Sequence, residues 1–170
     1  EPKYDGVRVC IHFKKGMPAH AYTRNMNDVS EMFPELEQLS KYTTARELIL
    51  DAEAVGVDPK KKALLDFQTT MQRRRKHEIG ELATKIPLQF FIFDIIYKDG
   101  ESFMADSQIK RREILLKTIN TKGPFKVTPA DLTSSPNYIR TAYTKYLKMG
   151  LEGVMVKKAS SEYIPGRTGY

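Results

Sequence analysis

The sequence has one cysteine, no tryptophan and no long hydrophobic run. Because Cys10 is alone, no disulfide can form within the chain, and with only three scattered histidines there is no zinc-ligand spacing. No apolar stretch approaches the roughly 20 residues that a membrane helix needs, and no signal peptide opens the sequence. These absences exclude disulfide-rich, zinc-finger and membrane-spanning classes, and they predict an intracellular protein.

The familiar phosphate-binding loops are missing too, since neither GxxxxGK[ST] nor GxGxxG occurs. A hydrolase nucleophile elbow is also absent. Positive charge is in excess, with 28 Lys and Arg against 21 Asp and Glu, for a net charge of +7. This balance favours a polyanionic partner such as nucleic acid or nucleotide phosphates, although a basic protein without such a partner has the same composition.

Hydrophobic patterning predicts several strands. Residues 7–13 alternate between apolar and polar side chains, as in a strand with one buried face, and residues 20–25 are the expected hairpin partner. Residues 47–57 are rich in β-forming side chains. Residues 88–97 are apolar on both faces, which predicts a central strand covered on both sides. A last strand is expected over 153–158.

Four segments have helical features, and three of them contain or follow a residue that can cap the first turn: 29–40, 66–78 with Asp66, 107–119 with Ser107, and 136–149 with Ser135. The last predicted helix carries one apolar stripe, made of Ile139, Ala142, Tyr143, Tyr146 and Leu147. Helices and strands do not alternate strictly, and hairpins are frequent. The pattern therefore indicates an α+β domain built on antiparallel sheets flanked by helices.

Two groups of charged residues could carry chemistry. Lys3 lies between two acids just before a predicted strand, and from these residues alone a plain surface lysine is the better explanation. Asp51 and Glu53 share one face of a predicted strand, where buried carboxylates are costly without partners. They are either salt-bridged to arginines or part of a metal or ribose site, and the residues alone leave both readings open.

Two further stretches have equally ambiguous charges. Glu152 stands at the start of an apolar strand and Lys157 at its end. Because they are an odd number of residues apart, a regular strand would point their side chains to opposite faces. Both can face one ligand only if Glu152 precedes the regular strand or a bulge intervenes. The four cations of RRRK (73–76) form either a solvated helix face or a phosphate track.

Five short motifs occur in a characteristic order: Lys3-x-Asp5-Gly-x-Arg8, YTRN (22–25), LDAEAV (50–55), FFIFDIIY (90–97) and EGVMVK (152–157). They resemble the nucleotide-site motifs of nucleotidyltransferases that form lysine–nucleotide intermediates. FQTTMQRRRK, and FDIIYKDG followed by RREIL, narrow the resemblance to ATP-dependent DNA ligases of the archaeal and eukaryotic replicative type. The whole chain, 1–170, is similar to their adenylation domain, an ATP-grasp-like fold with the nucleotide site between sheets.

The resemblance implies a reaction in three steps. Lys3 attacks the α-phosphate of ATP to form lysyl-AMP, AMP passes to the 5′-phosphate of nicked DNA, and the adjacent 3′-OH displaces AMP and seals the nick. ATP and Mg²⁺ or Mn²⁺ are the implied cofactors, with roles in DNA replication, repair and recombination. An RNA ligase, a capping-type nucleotidyltransferase, or a basic nucleic-acid-binding module without catalysis are the alternatives.

The resemblance also assigns roles to individual residues. The catalytic nucleophile is Lys3. The other nucleotide-binding residues implied are Glu1, Arg8, Arg24, Glu53, Phe93 and Lys157; the metal-binding residues are Glu53 and Glu152; the DNA-contacting residues are Phe67, Arg73 and Arg75. Asp51 is expected to support Glu53, and Asp5 to shape the loop around Lys3.

The sequence departs from the family pattern at its end. A lysine-rich strand, usually beginning near a tryptophan, is expected after GRTGY (166–170) and is missing. The DNA-binding domain that precedes this domain in the family, and the oligonucleotide-binding (OB) domain that follows it, are missing as well. The resemblance therefore implies a monomeric domain of a longer ligase, which acts on nicked double-stranded DNA, away from membranes, together with those flanking domains.

Overall fold

A six-stranded sheet forms the centre of the structure, which is a computed structural model describing residues 1–74, 83 and 85–166. Its strands run in the order β3-β2-β4-β5-β6, and β7 also pairs with β5. Their bounds are β2 Val7–Lys14, β3 His20–Tyr22, β4 Glu47–Gly56, β5 Leu88–Lys98, β6 Glu101–Ser102 and β7 Phe125–Val127. A second sheet pairs β1 (Pro2–Lys3) with β8 (Gly153–Val154).

Three α-helices begin where the sequence predicts them: α1 Phe67–Met71, α2 Gln108–Thr118 and α3 Pro136–Lys148. Each predicted cap is present, because the side chains of Asp66, Ser107 and Ser135 accept hydrogen bonds from backbone N–H groups in the first turn. Within the described ranges, none of the helices is long and apolar enough to cross a bilayer.

The core lies on one face of the central sheet and confirms the predicted alternation of β2. Val9 and Ile11 are fully buried and Phe13 nearly so, while the intervening side chains point to the opposite face. β5 is a central strand, as predicted, because β4 pairs along one edge and both β6 and β7 pair along the other. Antiparallel pairing prevails, which confirms the α+β class; β7 is the exception and runs parallel to β5.

Several predicted boundaries change. The segment 29–40 forms two 3₁₀ helices, Ser30–Met32 and Pro34–Lys41, because proline restricts the backbone where an α-helix would continue. The strand expected over 153–158 keeps only its first two residues. The helix expected over 66–78 ends at Met71 and tightens into a 3₁₀ turn, Gln72–Arg74, after which the predicted part lies outside the described residues.

The apolar stripe of α3 divides between two environments. Ile139, Ala142 and Tyr146 are half-buried, whereas Tyr143 and Leu147 are exposed at 46% and 45%. No residue of α3 is fully buried. Only part of the predicted apolar stripe therefore packs against the rest of the protein.

Arg73 occupies the interior, which overturns its prediction as a DNA contact. Its side chain has no exposed surface. The guanidinium nitrogens Nη1 and Nη2 lie 2.6 and 2.9 Å from the carboxylate oxygens of Glu35, and they donate to the carbonyls of Met32 and Ile86. A buried guanidinium that is bound by a carboxylate and two carbonyls cannot reach a phosphate. Arg75 lies outside the described residues, and its DNA contact stays a prediction.

Candidate nucleotide site around Lys3

The small sheet brings Lys3 and Glu152 together. Lys3 pairs with Gly153 in the β1–β8 register, and the N–H of Glu152 donates to the Lys3 carbonyl at 3.0 Å. The Lys3 ammonium in turn contacts the Glu152 carboxylate. Glu152 precedes the regular strand, which is one of the two arrangements that its parity with Lys157 requires.

The loop that follows Lys3 is held tightly against the central sheet. A Cβ on Gly6 would lie 2.3 Å from the Ala54 carbonyl oxygen, so only glycine fits this approach to β4. The backbone N–H of Gly6 acts to lower the pKa of Glu53. On the other side, the Asp5 carboxylate accepts the N–H of Phe67 at 3.2 Å. These contacts fix the loop, in agreement with the shaping role expected for Asp5.

The two acids of β4 have different environments. Asp51, 2% exposed, accepts two hydrogen bonds from Arg8, at 3.1 and 2.6 Å, and one from the Tyr163 hydroxyl at 3.0 Å. The salt-bridge reading therefore holds for Asp51, and this pairing raises the pKa of Arg8. Glu53 has no ion pair with any described residue. Burial raises its pKa to about 7, against the opposing influence of the Gly6 N–H, Arg8 and Lys3.

Phe93 and Glu1 both contact Lys157, and each also lies near one arginine. The Phe93 ring has Lys157 Nζ at 4.9 Å and the Arg8 guanidinium carbon at 5.6 Å from its centroid. Lys157 Nζ also lies 2.6 Å from Glu1 Oε2, and Arg112 lies 3.9 Å from Glu1 Oε1. The structure thus brings together four of the predicted nucleotide-binding residues, Glu1, Arg8, Phe93 and Lys157; Glu1 pairs with Lys157, whereas Arg8 pairs with Asp51.

A cavity of about 300 Å³ adjoins the Glu1–Lys157 pair. Its remaining walls come from α2, α3, β8 and the loop between β7 and α3, and they include Ile109, Leu132, Ile139, Tyr146 and Val154. The walls are mainly apolar, with the carboxylate and the ammonium at one side. Such a mixture of apolar walls and a few polar groups is typical of small-molecule sites.

Two predicted site residues lie apart from this cluster. Arg24 is exposed in the turn after β3, and its guanidinium makes no ion pair within the described residues. Phe67, 42% exposed, begins α1, and its backbone N–H donates to Asp5 of the Lys3 loop. The contacts of the free site therefore give no direct support to either prediction.

Both predicted metal ligands interact with Lys3: Glu152 contacts its ammonium, and the charge of that ammonium acts to lower the pKa of Glu53. Two carboxylates suit Mg²⁺ or Mn²⁺, which take oxygen ligands and complete their coordination with water and substrate phosphates. In the described part of the chain, no cluster of three or more His, Cys, Asp or Glu residues could hold a metal ion. The fit of the site to a divalent ion thus rests on the oxygen chemistry of these two acids.

Sequence reasoning missed two residues that support the site. Arg111 makes paired contacts of 2.8 and 3.0 Å with the carboxylate of Asp94, and it donates to the Ser161 carbonyl at 3.1 Å. The second contact secures the segment whose Tyr163 reaches Asp51. One signal was available, because an acid in a strand covered on both faces needs a cation nearby.

Glu53 gives the site a pH-dependent stability. Because its pKa is about 7 in the folded chain against a usual 4.5, the folded state holds a proton there that the unfolded state has lost, so stability is expected to fall as pH rises through this interval. Glu53→Gln should remove that part of the decline. The measurement is the unfolding midpoint of both proteins on either side of the interval. Parallel pH profiles for the two proteins would contradict the assignment.

Comparison with known proteins gives a consistent result. The family described as ATP dependent DNA ligase domain matches residues 1–170. The chain is 38% identical to the DNA ligase of Nanoarchaeum equitans and 35% identical to that of Aeropyrum pernix, matching with 100% of its own length and 30% and 29% of theirs. A probable DNA ligase of Dictyoglomus thermophilum is 34% identical, with 29% of its length covered.

The solved structures agree on the fold. The ligase domain of Mycobacterium tuberculosis LigD superposes with a TM-score of 0.71 at 25% identity, over 98% of this chain and 50% of that one. The chain spans less than a third of the length of the curated relatives it matches. On the full-length family match and these identities, the chain belongs to the ATP-dependent DNA ligase domain family.

Proposed function

We propose that this chain is the adenylation domain of an ATP-dependent DNA ligase and that Lys3 is its nucleophile. One observation carries the proposal: the pairing of β1 with β8 sets Lys3 beside Glu152, next to the cluster of Glu1, Phe93 and Lys157. A lysine that served only solubility would not need two sheets to position it.

The proposed first step transfers AMP to the lysine. The Lys3 amine, once its ammonium has lost a proton and left Glu152, attacks the α-phosphate of ATP. A nitrogen–phosphorus bond forms, the bond between the α-phosphate and pyrophosphate breaks, and pyrophosphate leaves. Arg8 and Lys157 are the cations best placed to stabilise the negative charge that develops on the phosphoryl oxygens.

The pairing within the free site has a consequence for nucleotide binding. For adenine to stack on Phe93 and to meet Glu1, as proposed, Lys157 must leave both groups. Its release supplies a cation for the α-phosphate at the moment the base enters. Glu53 and Arg8 are proposed to hold the ribose, and Arg24 the sugar or the DNA 5′-phosphate.

A divalent ion, Mg²⁺ or Mn²⁺, is proposed to bind through Glu53 and Glu152, where it would supply positive charge against the phosphates. A bound cation also favours the ionised form of Glu53, whose burial otherwise holds the pKa near neutrality.

The later steps involve DNA and more protein than this chain. AMP is proposed to pass from Lys3 to the 5′-phosphate at a nick, where the 3′-OH displaces it and joins the strands. Because the relatives are over three times longer, we propose that a DNA-binding domain and an OB domain accompany this one in a monomeric, intracellular ligase. Phe67 is proposed to press into the minor groove beside the nick.

Incubation of the chain with ATP and a divalent ion is expected to add one adenylyl mass to the protein, mapped to Lys3 by peptide mass spectrometry. GTP should add none, because the ligase family is defined by its use of ATP. In a longer protein that carries the flanking domains, AMP should then pass to nicked DNA and not to nicked RNA. Labelling by GTP would favour a capping-type enzyme, and transfer to RNA alone would favour an RNA ligase.

A further inference from the structure

We propose that the turn of residues 58–63, here called the lysine turn, binds the phosphate backbone of the DNA duplex beside the nick. It contains three consecutive lysines, Lys60, Lys61 and Lys62, and connects β4 to α1. The proposal rests on the function proposed above, since it names a contact surface for the same substrate.

The backbone of the lysine turn is held by hydrogen bonds within the turn. One carboxylate oxygen of Asp58 accepts the N–H groups of Lys60 and Lys61 at 2.8 and 2.9 Å. The backbone of Asp58 closes the turn with two more bonds of 2.8 Å, to the N–H of Lys62 and the carbonyl of Ala63. With its backbone fixed, the turn loses little conformational freedom when its side chains meet a partner.

Lys62 has a backbone conformation that lysine disfavours. Its φ is 58°, in the left-handed region that glycine and asparagine adopt far more readily. A turn selected for its shape alone would be more stable with glycine at this position. The presence of a long cationic side chain there points to a use for the side chain itself.

The ammonium groups of the lysine turn are exposed, and none forms an ion pair with a carboxylate of the described residues. The nearest acid, Asp58, is occupied by backbone N–H groups, and these bonds lower its pKa. Three concentrated positive charges with no ion pair to the described residues fit a polyanion, and flexible lysines suit phosphates as point charges.

The position of the lysine turn fits a duplex bound at Lys3. The turn leaves β4 at Gly56, whose carbonyl accepts the N–H of Leu65 at 2.8 Å, and it leads within a few residues to exposed Phe67. The N–H of Phe67 is bound by Asp5 of the Lys3 loop. A duplex that offers its nick to Lys3 and its groove to Phe67 therefore passes the lysine turn with its backbone.

The test measures how two triple variants bind a fluorescent nicked duplex at salt concentrations from about 50 to 200 mM. Each phosphate contact contributes about −0.9 to the slope of log K against log salt, where K is the binding constant. Replacing Lys60, Lys61 and Lys62 with glutamine should make the slope shallower by about 2–3. The matched control replaces Arg140, Lys145 and Lys148 of α3 and removes the same charge, and its slope should stay near that of the unaltered chain.

A single substitution separates binding from folding. Lys62→Gly relieves the left-handed backbone, so the melting temperature should hold or rise while affinity for the duplex falls. Equal slopes for the two triple variants, or no duplex binding by the unaltered chain, would overturn the proposal. Lysyl-AMP formation by the unaltered chain would in that case leave the proposed function standing, whereas its failure would remove the basis of both.

Discussion

Lys3→Ala is expected to abolish the adenylyl mass increment completely while the protein stays folded. Alanine has no nucleophilic nitrogen, so the nitrogen–phosphorus bond cannot form at this position. The fold should survive because the Lys3 side chain is 46% exposed and its partner Glu152 is 41% exposed, and pairs of this kind contribute little to stability. The measurements are intact mass after incubation with ATP and a divalent ion, and the thermal unfolding midpoint.

Two controls make the Lys3 result specific. Lys3→Arg keeps a positive charge opposite Glu152 but has no reactive amine at neutral pH, so it should also be unlabelled. Lys15→Ala removes an exposed lysine at the far end of β2 and should label fully. An adenylyl group that persists in Lys3→Ala would show that another residue is the nucleophile.

The sequence was more informative about which residues belong to the candidate site than about which of their side chains meet. The ordered motifs pointed to Lys3, Glu152 and Lys157, and the parity argument left two arrangements open, of which the structure has the one with Glu152 before the regular strand. Which side chains meet could not be predicted, because Lys3 and Glu152 are 149 residues apart and only the β1–β8 pairing joins them. The internal pairing of Glu1 with Lys157 has the same origin, a tertiary contact with no local pattern.

Asp51 and Glu53 show a second limit. Their two-residue spacing predicted that they share one face, and it could not tell that Asp51 is bound by Arg8 and Tyr163 while Glu53 has no ion pair with any residue that the structure describes. The pairing of β4 with β5 shifts register between Asp51 and Ala52, where Phe93 of β5 is the extra residue, whereas the pairing of β4 with β2 is regular and both acids keep the same face. An irregularity of this kind depends on the partner strand and leaves no signature in the strand itself.

A local change of helix type explains why the run of cations gave a wrong prediction for Arg73. In a continuous α-helix, four successive cations must spread around the axis, and a solvated face is the natural expectation for most of them. The helix tightens to 3₁₀ geometry after Met71, and Arg73 turns inward toward Glu35 of a segment that sequence reasoning assigned to another helix type. Only the pairing of those two segments reveals the acid that neutralises it.

Arg73→Ala is therefore expected to destabilise the fold by about 3–5 kcal/mol, the usual cost of removing one partner of a buried ion pair. Glu35, 14% exposed, would lose its cation, and the carbonyls of Met32 and Ile86 would lose their donor. Denaturant unfolding measures the loss, and Arg46→Ala, which removes an exposed arginine, should cost far less.

A double variant distinguishes the buried pair from simple loss of packing. Arg73→Met with Glu35→Leu replaces both charges by apolar groups, and it should recover most of the stability because no unpaired charge stays behind. A loss below about 1 kcal/mol in Arg73→Ala would mean that the guanidinium is solvated after all. Arg73 would then return to the phosphate-contacting role that its burial now denies it, and the salt dependence of duplex binding would have to change with it.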